Sequence, residues 1–283
     1  MENPGLLQAP AANCAHCELG LKFETCGLQC LKEFEKIIED NDPKTISAVI
    51  MDPLPGSNTG YPVPPEGYLQ GVRDLCTKHG IILIFDEIQT GFGKSGEMFV
   101  SQYFGVTPDI MTVAKAITNG YIPLGATIMR QDIYDLFRSE PGKEFVSGST
   151  FGGHNVACAA AIATLEYLED NDLLNHAKEI SQYIHERIGK LMEKYPFIAR
   201  ISGIGLLLAV ELSPNRETLE PFEKPGQLGN FIREYSYEHG LIVRNNTDII
   251  VIAPPLSFTR EEVDIMMDTF DDAFAEAVKK FDL

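Results

Sequence analysis

Residues Leu83 to Ala126 read LIFDEIQTGFGKSGEMFVSQYFGVTPDIMTVAKAITNGYIPLGA, and the fold is decided inside them. The stretch opens within an apolar run, Ile81–Asp86, in which Ile and Leu do not alternate with polar residues and which ends in two carboxylates, Asp86 and Glu87. An unbroken apolar run of this length fits a strand covered on both faces, as in a mostly parallel sheet. A Gly-rich loop follows, then a second apolar run at Ile110–Val113, then Lys115, then a third strand-like segment at Gly125–Met129. Carboxylates at the C-terminal end of such a strand lie where open α/β sheets place their ligands. Position alone supports the plainer alternative equally well, a helix N-cap or a surface turn. The GFGKSG segment invites a nucleotide-binding reading, but its glycines do not fall at the spacing of a phosphate-binding loop or a dinucleotide fingerprint.

Working outward, Ile46–Met51 reads as a short strand, the Pro/Gly-rich DPLPGSNTGYPVPP of Asp52–Pro65 as loop, and residues 66–79 as a helix closed by Gly80. Strand, helix and strand in that order predict an α/β fold with a mostly parallel sheet. Beyond the central stretch, Asp132–Arg138, His154–Leu168 and Leu173–Leu191 are predicted helices. The pattern changes near residue 196. Gly203–Leu212 (GIGLLLAVEL) reads as one strand, Gly226–His239 as a helix, and two short strands fall near 241–244 and 249–253. Thr259 and Glu262 form a capping box ahead of a final acidic helix reaching Lys280. We divide the chain into a Cys-rich segment (residues 1–35), a large α/β domain (36–185) and a small C-terminal α+β domain (186–283), with the boundary in the 170–200 region. There is no internal repeat.

The bulk properties restrict the function. At 283 residues, with 44% hydrophobic and 23% charged residues, the chain can bury a substantial core and is not read as disordered. A formal charge of -18 argues against non-specific nucleic-acid binding, which relies on Lys and Arg to neutralise phosphates, and against an acidic membrane surface. It does not exclude a small anionic ligand held by a few local donors. The first ten residues carry neither a basic nor an apolar leader signature. Apolar runs are of strand length, too short to span a bilayer. Six cysteines scattered over a long chain suit a reducing, cytoplasmic setting.

The 83–126 stretch, followed in order by GSTFGGHN at 148–155 and by Ala253-Pro254-Pro255-Leu256, resembles the class III aminotransferases. The resemblance runs from about residue 14 through almost the whole chain. It implies the type I fold of pyridoxal 5'-phosphate-dependent transferases. By that resemblance Asp86 is the aspartate that pairs with the pyridine nitrogen, keeping it protonated so that the ring can accept electrons. Ile88 packs against a ring face, and Gln89 lies near the phenolic oxygen. Lys115 is the Schiff-base lysine and then a general base, roles that need an amine; on its own, a lysine within VAKAITNGY reads as a solvated side chain. Thr150 contacts the cofactor phosphate across a homodimer interface. Arg244 pairs with a substrate carboxylate, although an Arg at a strand end is also an ordinary surface residue.

Two substitutions depart from the family pattern: Asp52 stands where Glu commonly precedes Pro, and Ser202 where Arg often precedes Gly. A larger departure is an expected absence. The family's N-terminal region, with its phosphate-binding turn and stacking aromatic ring, has no counterpart here. The expectation is therefore an N-terminally incomplete chain, with a truncated chain, a split enzyme whose partner supplies the missing half, and a degenerate protein as the alternatives. Cys14-x2-Cys17 and Cys26-x3-Cys30 have metal-like spacing, but the second pair straddles a predicted helix start, so free thiols are the favoured reading and no metal is assigned. Cys76 and Cys158 are predicted to lie in the core. A similar Cys-rich insert in part of the family suggests an ω-type amino donor. The expected activity is ping-pong transfer of an amino group from an amine, diamine or ω-amino acid to a 2-oxo acid such as pyruvate or 2-oxoglutarate. An isomerase or lyase would use the same lysine and aspartate.

Overall fold

The computed structural model describes residues 5–283, which form two compact units that part between Asn171 and Asp172. The units are not contiguous in sequence, because Leu54–Val63 and Gly93–Met98 belong to the second.

The first unit contains α1 (Phe23–Cys26), α2 (Gln29–Asp40), β1 (Ala48–Met51), α3 (Tyr68–His79), β2 (Ile82–Asp86), α4 (Val100–Phe104), β3 (Ile110–Val113), β4 (Ala126–Met129), α5 (Gln131–Leu136) and α6 (Asn155–Asp170). Its sheet runs β1-β2-β3-β4, with β1, β2 and β3 parallel and β4 antiparallel to β3. The parallel crossover that the sequence predicts is supplied by α3. That helix stops where Gly80 takes a left-handed conformation (φ 69°) and its N–H caps the carbonyls of Cys76 and Thr77.

One face of α3 carries Leu69, Val72, Leu75 and Cys76, a helical stripe that packs with Phe34 and Ile38 of α2 on Leu83 and Phe85 of β2. Strand alternation sends the other residues to the opposite face: Ile50 in β1, Ile84 and Asp86 in β2, Ile110 and Thr112 in β3. On that face Ile50 is 62% exposed and the others are half-buried.

Asp109, 4% exposed, ties the sheet together. It accepts hydrogen bonds from Arg73 Nη1 (2.8 Å), Arg130 Nη1 (2.5 Å) and the Leu83 N–H (2.7 Å). Cys76 is buried as expected, and burial pushes its thiol up to about 11. Cys158, predicted to be core, is exposed on α6. The helix is rich in Ala around it, and only Ala157, Ala161 and Leu168 turn inward.

The second unit contains α7 (Leu173–Lys194), β5 (Ile198–Ile204), β6 (Leu207–Leu212), α8 (Gln227–Glu238), β7 (Arg244–Asn246), β8 (Ile249–Ile252) and α9 (Arg260–Phe281). Its antiparallel sheet runs β5-β6-β8-β7. β6 is buried along all six residues. Ala177, Ile180, Ile184 and Ile188 of α7 and Met266, Phe270, Ala273 and Phe274 of α9 belong to the same core. The capping box of Thr259 and Glu262 forms as predicted.

The single strand predicted over Gly203–Leu212 is instead a hairpin. β5 runs to Ile204 and the chain turns at Gly205 (φ 61°); Gly203 (φ 109°) packs against the facing strand, where a Cβ would lie 1.9 Å from the Leu207 carbonyl oxygen. Arg200 and Glu211 face each other across the hairpin at 3.0 Å. The strand predicted at 241–244 begins only at Arg244.

Candidate active site

Parallel strands deliver their C-terminal ends to one edge of a sheet. In the register of β1 and β2, Met51 lies beside Phe85, so the next residues, Asp52 and Asp86, stand side by side where the ladder ends. Asp86 is in turn paired with Thr112 of β3. Three residues after Thr112 the chain reaches Lys115, at the start of a single 3₁₀ turn, Lys115–Ile117. Thus Asp52, Asp86 and Lys115 follow the C-terminal ends of three consecutive strands.

Lys115 holds φ at 48°, a left-handed conformation that costs a side-chain-bearing residue on the order of 1 kcal/mol. Its side chain is exposed and forms no hydrogen bond or ion pair among the described residues. Asp86 accepts one hydrogen bond, from the Ile88 N–H at 2.9 Å. The Thr112 Oγ1 is buried without a partner. Leaving such a hydroxyl unsatisfied costs about 1–3 kcal/mol, so a group that could engage it would be favoured there. Asp52 also makes no hydrogen bond or ion pair among the described residues. Its carboxyl is pushed up, first by the protein crowded around it and then by Asp86, while Lys115 acts in the opposite direction.

The neighbouring acid has a different task. Glu87 is fully buried, and its carboxylate accepts the Thr90 hydroxyl (2.6 Å) and the backbone N–H groups of Val100 (2.9 Å) and Ser101 (2.7 Å). It satisfies the open N-terminus of α4 and closes the Gly-rich loop. Of the two adjacent carboxylates, Asp86 remains at the strand edge and Glu87 is structural.

The remaining predicted residues divide between the units. Ile88 and Gln89 are half-buried just beyond Asp86. Thr150 is exposed, in a turn where Gly152 N–H donates to the Ser149 carbonyl (2.9 Å). Arg244 belongs to the second unit, where its guanidinium donates to Ser57 Oγ (3.4 Å), Asn58 Oδ1 and Asn246 Oδ1 (3.1 Å), all neutral acceptors. Ser202 donates through its hydroxyl to the Gly60 carbonyl.

Cys14, Cys17, Cys26 and Cys30 line one small cavity, but no three His, Cys, Asp or Glu side chains among the described residues gather as a metal cage. No described helix is long and apolar enough to cross a membrane.

Asp52 and Thr112 were not among the residues expected to act here. The sequence offers a signal for both: each sits at a fixed offset from Asp86 once strand register is known.

An aspartate and a free lysine at the C-terminal edge of a mixed α/β sheet are a donor set suited to an aldehyde-bearing aromatic cofactor. The profile of the class III aminotransferases matches residues 4–274, and the chain belongs to that family. It is 38% identical to adenosylmethionine-8-amino-7-oxononanoate aminotransferase of Geobacter sulfurreducens, over 93% of this chain and 58% of that protein. It is 37% identical to the beta-alanine–pyruvate aminotransferase of Pseudomonas aeruginosa, over 88% of this chain and 55% of the relative. The crystal structure of the omega transaminase from Pseudomonas jessenii in complex with PMP superposes with a TM-score of 0.91 at 31% identity, covering 99% of this chain and 62% of that one. The fold is therefore that of the type I pyridoxal-phosphate-dependent transferases. Class III aminotransferases depend on that cofactor. The chain spans less than two thirds of the length of these relatives.

Proposed function

We propose that this chain carries the lysine-bearing part of a pyridoxal-phosphate-dependent aminotransferase, moving an amino group from an ω-amino donor (an amine, a diamine or an ω-amino acid) to a 2-oxo acid such as pyruvate or 2-oxoglutarate. The observation that carries this reading is the free Lys115 amine near the carboxyls of Asp52, which follows β1, and Asp86, which ends β2. The residues fit the group: an unpartnered amine for its aldehyde, an aspartate for its ring nitrogen, and a buried, unpartnered Thr112 hydroxyl on the same sheet face as Asp86. The cofactor, when bound, supplies an electron sink for the carbanion left by deprotonation of the amino donor.

Lys115 would hold the cofactor aldehyde and, once displaced by the donor amine, move a proton between carbon atoms. Asp86 would keep the ring nitrogen protonated, helped by the fixed orientation that the Ile88 N–H gives its carboxylate. Ile88 would pack on the ring face and Gln89 approach the phenolic oxygen. Thr150 would reach the phosphate of a second subunit in a cytoplasmic homodimer, in keeping with its exposure. Arg244 would take a substrate carboxylate, since neutral acceptors leave its charge uncompensated.

The names of the relatives support the ω-donor, with beta-alanine and pyruvate as one example. The sheet face exposed at Ile50 supports a second element of the reading, that a polypeptide equivalent to the unmatched part of the relatives covers this sheet in the active enzyme.

An absorbance spectrum with added pyridoxal phosphate, before and after borohydride and beside Lys115→Ala, tests the assignment. A band that borohydride fixes on Lys115 is the expected result. A folded chain that binds no cofactor through Lys115 would overturn its role in a stand-alone site.

A further inference from the structure

Asp52 is the acid of the edge that the assignment above leaves unused. It follows β1 as Asp86 ends β2, in parallel register, and both belong to the alternation that includes Ile50 and Ile84, so the two carboxyls share a sheet face. Adjacent strands run about 4.8 Å apart, a separation at which two like charges strongly oppose joint ionisation. The pair is not symmetric. Asp86 is held by the Ile88 N–H, whereas Asp52 accepts no hydrogen bond among the described residues and so is free to turn its carboxyl toward Asp86. On the other side of Asp86 stands the buried, unpartnered hydroxyl of Thr112.

We propose that Asp52 is a positioning residue of this site: when the two carboxyls hold one proton, it resides on Asp52, which donates it as a hydrogen bond to an ionised Asp86. The inference rests on the Lys115 assignment above. It gives Asp52 a definite task, to keep Asp86 anionic and correctly turned toward the ring nitrogen without adding a second full negative charge.

The electrostatic surroundings agree. Asp52 is exposed, so the protein on its inner side desolvates it only in part; that and Asp86 push its carboxyl up, and Lys115 pulls the other way.

The test uses the full chain and two readouts. Without cofactor, the thermal midpoint is followed from pH 4 to pH 8 for the wild type, Asp52→Asn, Asp86→Asn and the double variant. Because the folded-state pKa of Asp52 is raised, the wild type loses stability relative to Asp52→Asn as pH rises and Asp52 ionises, and the two converge at pH 4. Replacing Asp86 as well narrows that divergence and leaves the part that comes from the surrounding protein. Parallel curves for wild type and Asp52→Asn would overturn the proposal.

In the second readout, borohydride fixes pyridoxal phosphate on Lys115. Asp52→Asn, which retains an N–H donor, traps within about twofold of wild type. Asp52→Ala falls by about tenfold, the scale on which an outer partner of a ligating group acts. Equal losses in both variants would also overturn the proposal. Failure of the wild type itself to trap cofactor would count against the Lys115 assignment, and the pH arm would still decide the carboxyl pair.

Discussion

The carboxylate of Glu87 holds the backbone N–H of Ser101 at 2.7 Å, fourteen residues further along the chain. With Val100 N–H and the Thr90 hydroxyl it makes three hydrogen bonds from a fully buried position. Glu87→Ala leaves these donors buried without an acceptor and should destabilise the first unit by on the order of 3–5 kcal/mol. Glu87→Gln, with one acceptor oxygen retained, should cost about half as much. Urea denaturation measures both. Asp86→Asn is expected to do the reverse, leaving the urea midpoint nearly unchanged while weakening cofactor trapping.

Two glycines of the second unit should respond to the same substitution with opposite signs. Gly203→Ala drives a methyl group into the Leu207 carbonyl at a left-handed position and should cost about 3 kcal/mol or more. Gly189, within α7, has nothing within 4 Å of an added Cβ. Gly189→Ala should stabilise the chain by about 0.5–1 kcal/mol through helix propensity. Thermal melts of the two variants, run side by side, check the pair.

Lys94 is largely buried and donates to the Pro254 carbonyl at 2.5 Å; burial lowers its pKa from 10.5 to about 8. A depressed lysine contributes stability that is fully present above its unfolded pKa and is lost as pH falls through the folded value. Stability should therefore rise between about pH 8 and pH 10 by on the order of 2 kcal/mol from this group, against the trend of other titrations. Lys94→Met should remove that rise. Identical pH slopes for the two proteins in this range would count against it.

Thiol labelling should separate Cys158 from Cys76. Cys158 is exposed and should react rapidly with a disulfide reagent in the native chain. Cys76, fully buried and with its thiol pushed up to about 11, should react only on unfolding. Mass spectrometry of partially labelled protein distinguishes the order.

The sequence made several strands and helices of both units legible because each rule involved is local. An apolar run of strand length, a glycine ending a helix and a Thr-x-x-Glu capping box need no knowledge of the rest of the chain. Asp86 and Lys115 were singled out not by such a rule but by the family resemblance of the 83–126 stretch, since a lysine within VAKAITNGY reads alone as a solvated side chain. What escaped was set by contacts distant in sequence. Ile204 pairs with Leu207 across a turn at Gly205, so one apolar run contains the turn into a second strand. Leu54–Val63 and Gly93–Met98 read as loops beside their neighbours, yet pack with the second unit. Asp52 reads as a mild replacement for Glu until register places it beside Asp86. Cys158 lies in an Ala-rich helix whose weak amphipathicity gave no reliable inner face.

Under the role proposed for Lys115, its left-handed backbone (φ 48°) sets stability and chemistry against each other at one position. Glycine or asparagine would adopt that conformation more comfortably and would make a more robust but chemically inert protein. A library screened only for heat resistance would therefore favour loss of this lysine, and any stabilisation campaign on the chain needs a catalytic counter-screen from its first round.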